Sequence, residues 1–326
     1  MAWVGSLIYS PKAEVERLLA FAAAGEPRRP PPLQSSSVSA EVAVIRACFI
    51  FDDVGQAVAA GQEAVRSETD PNRLSYLLAW GGLGQSLYFA GRWEEARSCL
   101  EVAMAAPLRD RQPSGLFRAI ALLALVSLEL GEITRAEALA RQSVELCNDS
   151  GLADHPAAWM AYLALGLALC QRGEFGEAEA ILAQGVEPRL TKFSDWRIQH
   201  AMALLALARV RHACGHRHAA RALIEEARIL IAACPDPGML TAWLDSTERA
   251  LHRSPSRSTG IQEELTEAEL RVLRLMAGDL SQREMGRELY LSVNTIKTHT
   301  RTIYGKLGAT SRQEAVARAR DLDLIA

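Results

Sequence analysis

A glycine that returns at a near-constant step dictates most of this chain's architecture. Gly91, Gly131, Gly173 and Gly215 stand at steps of 40, 42 and 42, and Asp52 fills the equivalent place 39 residues before the first. After each comes a short segment (DVGQA, RWEEA, EITRA, EFGEA or HRHAA) ending at Ala57, Ala96, Ala136, Ala178 or Ala220. Seven residues further on stands another small residue, at Ala64, Ala103, Ser143, Gly185 and Ala227. Seven residues before each glycine stands Gly84, Ala124, Gly166 or Ala208, always preceded by leucine, with Trp80, Ile120, Tyr162 and Leu204 four places upstream. Such a unit is two antiparallel helices joined at a glycine turn. The small residues mark close helix crossings, and the large ones fill the gap to the next pair. One pair cannot bury its own apolar face, so the pairs must stack into an all-α solenoid.

The pattern resembles the tetratricopeptide repeat, with large, Leu, small, Gly and Ala positions all in place. It departs in period, the usual repeat being about 34 residues. Longer helices or longer connections between repeats are expected to absorb the difference. Upstream, Pro11 to Ala24 predicts a helix with Val15, Leu18, Leu19 and Ala22 on one face. Pro27, Pro30, Pro31, Pro32 and the serines after them predict a linker. Met239 to Leu251, after Pro235 and Pro237, predicts a closing helix. LHRSPSRSTGIQEE, residues 251–264, has no periodic apolar content and reads as a tether. The expected domains are therefore 1–39 (N-terminal helix and linker), 40–251 (helical repeats), 252–264 (linker) and 265–326 (a C-terminal four-helix domain).

In that last domain Thr266 and Glu269 form a capping box, Ser281 caps a second helix through Leu289, Ser292 caps a third through Leu307, and Ser311 caps a fourth. Along the third helix Val293, Ile296, Thr300, Ile303 and Leu307 make one apolar stripe, and Asn294, Lys297, Thr298 and Arg301 fall on the other side. All four of the latter can donate hydrogen bonds to phosphates or base edges. No acidic residue occurs between Glu288 and Glu314, where Lys297, Arg301, Lys306 and Arg312 all stand. Two helices separated by so few residues have the spacing of a helix-turn-helix.

From Leu265 to Val316 the sequence resembles the DNA-binding domain of LuxR-type regulators. The resemblance is carried by Leu265, Thr266, Glu269, Val272, Leu273, Ser281, Glu284, Leu289, Ser292, Val293, Thr295, Lys297, His299, Lys306, Leu307, Ser311 and Arg312. Three places differ from the family pattern: Gly278-Asp279, Gly286 and Gln282. The two glycine changes predict a looser second helix, and none of the three removes a DNA-facing residue. The resemblance implies that Lys297, Thr298 and Arg301 reach base edges in the major groove. It makes Ser292, Asn294, Thr295, His299, Thr302 and Lys306 candidates for the phosphate backbone. Pairing through the fourth helix would use Ala315, Val316 and Ala319, and two-fold symmetry would imply inverted half-sites.

Other chemistries find little support. His212, Cys214, His216 and His218 cannot close a zinc site, because Gly215 is a turn glycine and no further Cys/His pair stands nearby. Gly81 to Ser86 lacks the Lys-Ser/Thr of a phosphate loop and reads as helix packing. Asp52-Asp53 lacks the lysine a phosphoacceptor site needs, since none occurs between Lys12 and Lys192. No metal, cofactor or enzymatic activity is expected. The six scattered cysteines read as small buried hydrophobes in a reducing compartment. The apolar start of the chain is broken at Gly5 and Ser6, no run approaches the length of a membrane span, and a cytoplasmic protein is expected. A net charge of −3 gives no whole-chain attraction to nucleic acid, so binding must come from a local patch.

Repeats, tether and LuxR-type domain together resemble the C-terminal part of large ATP-dependent, MalT-like LuxR regulators, without the ATPase module. The resemblance implies a sequence-specific transcriptional regulator that binds double-stranded DNA as a homodimer. Its repeats would sense a ligand or protein and control oligomerisation or exposure of the DNA-binding domain. RNA polymerase is a further candidate partner. The alternative is an interaction scaffold, or an antagonist that heterodimerises with a homologous regulator.

Overall fold

The computed structural model describes residues 15–17, 19–20, 35–50, 52–107, 113–193, 196–252, 265–278, 280–289, 291–322 and 324–325. Most of the predicted N-terminal helix, the proline-rich segment up to residue 34 and the tether lie outside these, although Val15 and Leu19 are buried. Among the described residues every named element is helical. They are α1 Val38–Phe49, α2 Val54–Ser67, α3 Leu74–Phe89, α4 Trp93–Ala105, α5 Pro113–Glu129, α6 Ile133–Asp149, α7 Trp159–Arg172, α8 Phe175–Gly185, α9 Arg197–Ala213, α10 Arg217–Ala232, α11 Leu240–His252, α12 Glu267–Met276, α13 Gln282–Glu288, α14 Val293–Leu307 and α15 Arg312–Asp321. No helix among the described residues is long and apolar enough to cross a membrane. Two compact bodies are distinguished, residues 1–210 with 224–247, and residues 211–223 with 248–326.

In the first body each helix from α1 to α8 packs on the next, while α1, α3, α5 and α7 also pack on one another in a row. Those row helices are apolar nearly all round. From Ala119 to Leu128 every residue of α5 is buried, which is what a helix enclosed on all sides requires. Their partners are amphipathic; α6 buries Ala136, Glu137, Ala140, Ser143 and Cys147 and exposes most of the rest. The pairs turn at Gly91, Gly131, Gly173 and Gly215, with φ of +72°, +77°, +87° and +88°. At each, the following N–H reaches five residues back, Arg92 to the Leu87 carbonyl and Glu132 to that of Ser127, satisfying carbonyls the helix end leaves open. Asp52 takes the same left-handed conformation, φ +58°, as its place in the repeat predicts.

The small positions are close crossings. A Cβ on Gly84 would lie 2.7 Å from Leu100 Cγ, and one on Gly166 2.7 Å from Leu182 Cγ. A Cβ on Gly82 would lie 3.1 Å from both Ala47 Cβ and Cys48 Sγ, so this glycine-rich stretch packs helices as expected. Extra length is taken up in two ways: α5 and α6 have 17 residues each, and a 3-10 segment at Glu187–Phe193 follows the shorter α8. Ion pairs tie successive pairs on the outside, Arg97 to Glu132 at 2.8 Å, Arg135 to Glu101 at 3.2 Å and Arg172 to Glu137 at 2.5 Å.

The row also bonds back on itself. Phe49 at the end of α1 lies 5.1 Å from the Trp196 ring, Arg197 pairs with Asp52 at 2.7 Å, and Gln199 Nε2 donates to the Phe49 carbonyl at 2.5 Å. Val54 donates to the Asp236 carbonyl at 3.0 Å, Gly55 to Asp236 Oδ2 at 2.8 Å, and Met239 to the Phe89 carbonyl at 2.7 Å. Trp243 of α11 lies 4.0 Å from the Arg209 guanidinium, donates from Nε1 to Glu129 at 3.1 Å, and is buried. Arg209 also donates to Thr247 and Ser246. Burial pushes the Glu129 carboxyl above its ordinary range, against the pull of Arg209 and the Trp243 N–H, and burial lowers the Arg209 pKa.

In the second body α12, α13, α14 and α15 enclose a core of Val272, Leu273, Met276, Met285, Ile296, Ile303, Leu307, Ala309, Ala315, Val316 and Ala319.

Candidate nucleic-acid interface

The four helices of the C-terminal domain are started by the side chains the sequence assigns to the task. Thr266 accepts from the Glu269 N–H while Glu269 accepts from the Thr266 N–H at 2.7 Å, and Ser281 and Glu284 repeat the exchange. Ser292 accepts from the Thr295 N–H at 3.1 Å, and Ser311 from that of Glu314 at 3.2 Å. Gly308, with φ +64°, ends α14. The glycine at 286, from which a looser second helix is expected, lies where the following turn approaches closely. Leu291 N–H donates to the Gly286 carbonyl at 2.8 Å, and a Cβ on Gly286 would stand 2.8 Å from the Leu291 carbonyl oxygen. The turn between α13 and α14 closes directly over Gly286, where any added Cβ would push the Leu291 carbonyl aside. Gly278 has no such constraint, its nearest neighbour to an added Cβ being 3.8 Å away.

Along α14, Ile296, Thr300, Ile303 and Leu307 are buried and Val293 half-buried, whereas Ser292, Asn294, Lys297, Thr298 and Arg301 are exposed. Thr295, His299 and Thr302 are half-buried on its flanks. No ion pair engages Lys297 or Arg301 among the described residues. Neighbouring side chains on one helical face are thus aimed outward with their cations available, while the opposite face is fixed in the core.

Three of the expected roles meet engagements within the domain itself. Lys306 is not a free cation: its Nζ lies 2.9 Å from Glu269 Oε2, with side-chain exposures of 11% and 7%. Burial alone would raise the Glu269 pKa, but the Thr266 N–H and the Lys306 ammonium outweigh it and hold the carboxyl below its usual range. Lys306, expected at a phosphate, thus fastens α14 to α12. Ala315, Val316 and Ala319, expected at a contact with a second copy, are 0%, 8% and 0% exposed and belong to the domain's own core. The exposed positions of α15 are Gln313, Ala317, Arg318 and Arg320. Finally, Thr298 has no hydroxyl hydrogen to offer in this conformation, because Oγ1 donates to the Asn294 carbonyl at 3.0 Å. Thr302 likewise donates to the Thr298 carbonyl at 3.1 Å.

Arg312 is also absorbed by the fold. Its guanidinium donates to the carbonyls of Met276, Leu280 and Gly278 at 2.9, 2.7 and 2.7 Å, closing the end of α12. Of the four cations in the acid-free stretch, two are outward and two are structural. Sequence reasoning passed over Arg283 and Arg287, which are exposed on α13 one turn apart. The acids Glu284 and Glu288 beside them mask the signal in the sequence, although Glu284 is engaged in capping.

Residues 263–319 match the family of bacterial regulatory proteins of the luxR type, and residues 77–101, 159–184 and 201–226 match the tetratricopeptide repeat. These are DNA-binding and repeat families, not enzyme families. The chain is 45% identical over 58 residues to the HTH-type transcriptional regulator MalT of Serratia proteamaculans (strain 568), and equally so to that of Yersinia pestis (strain Pestoides F). Each match covers 18% of this chain and 6% of the relative, so the two share the DNA-binding region and little of the relatives' length. Among solved structures, BtubC from P. vanneervenii is similar over 70% of this chain and 87% of its own (16% identity, TM-score 0.41). A Podosopora anserina kinesin light chain with nearly identical TPR-like repeats is similar over 60% and 93% (23% identity, TM-score 0.40).

Proposed function

The chain carries a luxR-type domain preceded by tetratricopeptide repeats, and from this premise we propose that it is a sequence-specific transcriptional regulator that docks α14 in the major groove of double-stranded DNA. The observation that carries the reading is the exposed face of Asn294, Lys297, Thr298 and Arg301 on a helix whose other face is locked in the core. No acid interrupts it, so the patch is attractive to DNA even though the whole chain is slightly acidic. Lys297 and Arg301 are the donors to base edges. Asn294, Ser292, Thr295 and His299 follow the phosphate backbone, joined by Arg283 and Arg287, since the first helix of this motif crosses the backbone; Thr302, whose hydroxyl is bonded back to the helix, borders that path without donating to it. The same proposal takes residues 40–251 as a regulatory repeat domain, 1–39 and 252–264 as linking segments and 265–326 as the reader. The repeats receive a ligand or protein signal that alters oligomeric state or access to DNA, and a two-fold dimer on DNA uses the exposed side of α15. The site of action is the cytoplasm.

The test is selection of bound fragments from genomic DNA by the intact chain, repeated with Lys297→Ala and Arg301→Ala. Each substitution is expected to cost about 1–3 kcal/mol at one base position and to relax the choice there. Retention of DNA without regard to sequence, unchanged by either substitution, would sink the proposal.

A further inference from the structure

We infer that Thr298 reads the methyl group of a thymine, as a shape contact and not as a hydrogen-bond donor; the inference rests on the DNA-binding reading of α14. Thr298 is exposed in the middle of the reading face, between Lys297 and Arg301. A threonine Cβ carries only a hydroxyl and a methyl. The hydroxyl is folded onto the helix, donating its one hydrogen to the Asn294 carbonyl at 3.0 Å. What remains for a base is the methyl, and a hydroxyl oxygen that can only accept. Thr302, one turn on, is bonded back in the same way to the Thr298 carbonyl at 3.1 Å, so neither threonine supplies a donor to the groove.

The bases divide on this point. Guanine presents only acceptors to the major groove, at N7 and O6, and needs a donor from the protein. Thymine presents a C5 methyl that rewards an apolar partner. Lys297 and Arg301 can meet the acceptors of neighbouring bases, and Thr298 has nothing to give a guanine. The face therefore combines two cationic donors with one side chain that offers a methyl and no donor, a mixture that its amino-acid types alone do not disclose.

The probe is a set of duplexes enriched from a random library by the intact chain, in which each thymine is replaced in turn by deoxyuridine. That replacement keeps base pairing and removes only the C5 methyl. One thymine is expected whose replacement weakens binding by about fourfold, the worth of one buried methyl-sized group. Thr298→Val, which keeps the methyl and removes the hydroxyl, is expected to preserve that fourfold ratio, and Thr298→Ser to bring it close to one. The inference is overturned if the ratio survives in the serine variant, if it vanishes in the valine variant, or if no thymine shows it. A library in which nothing is enriched would defeat the DNA-binding reading itself, and this inference with it; that failure is recognisable before any base is replaced.

Discussion

Lys297 and Lys306 sit on one helix, nine residues apart, and the structure gives them opposite employment. Lys297 is exposed; Lys306 is enclosed with Glu269, which stands 37 residues earlier in the chain. Removing one member of a buried pair leaves the other charge without compensation. Lys306→Met is therefore expected to destabilise the C-terminal domain by about 3 kcal/mol, seen as a lower midpoint in urea, with the salt dependence of DNA binding retained. Lys297→Ala is expected to do the reverse. A positional match could place both lysines on α14 but could not show which had a partner, because the partner comes from another helix. Gly286 was opaque for the same reason. Its meaning lies in the approach of the Leu291 carbonyl, and Gly286→Ala is expected to cost about 1–3 kcal/mol as the turn is forced open, measured by thermal melting.

At the scale of the helix, what was legible was local. The caps at Thr266, Ser281, Ser292 and Ser311 each depend on contacts within three residues, and each formed as read. They also create a pH dependence. For Glu284, hydrogen bonds from Ser281 hold the carboxyl low; for Glu314, the Thr310 N–H and hydroxyl do so; for Glu269, Thr266 and Lys306 overcome burial. A carboxyl depressed in the folded state contributes stability above its unfolded pKa, and that contribution is lost as pH falls through the folded value. The domain is thus expected to hold its stability down to about pH 4.3, the ordinary glutamate value, and to lose it progressively below, in a helical melting series run against pH. A midpoint that does not move over that interval would contradict the capping assignment. The closing helix α11 was foreseen as an element, but its anchoring was not. Trp243 engages Glu129 and Arg209, 114 and 34 residues away, and no period in the sequence links them.

At the scale of the whole molecule, the step of the turn glycines disclosed the stacked pairs because each repeat interacts with its neighbour at a fixed distance along the chain. The return of the row upon itself follows no such period, and it was invisible until Asp52, Asp236 and Arg197 were seen together. Arrays of repeats whose members touch only their neighbours melt from their ends, one unit at a time. Here the ends are joined, since α1 and α2 are bonded both to α3 and to segments near residues 197 and 236. Asp236→Ala removes the acceptor for the Gly55 N–H and loosens one of those joins. Amide exchange is expected to rise throughout α1 and α2 in this variant while α5 and α6 keep their protection; equal protection in all four would show that the join carries no weight. With the join intact, α1 and α2 are held from two sides at once, and to peel them away the contacts at Asp52, Arg197 and Asp236 would have to give way together, like a ring that opens only at its clasp.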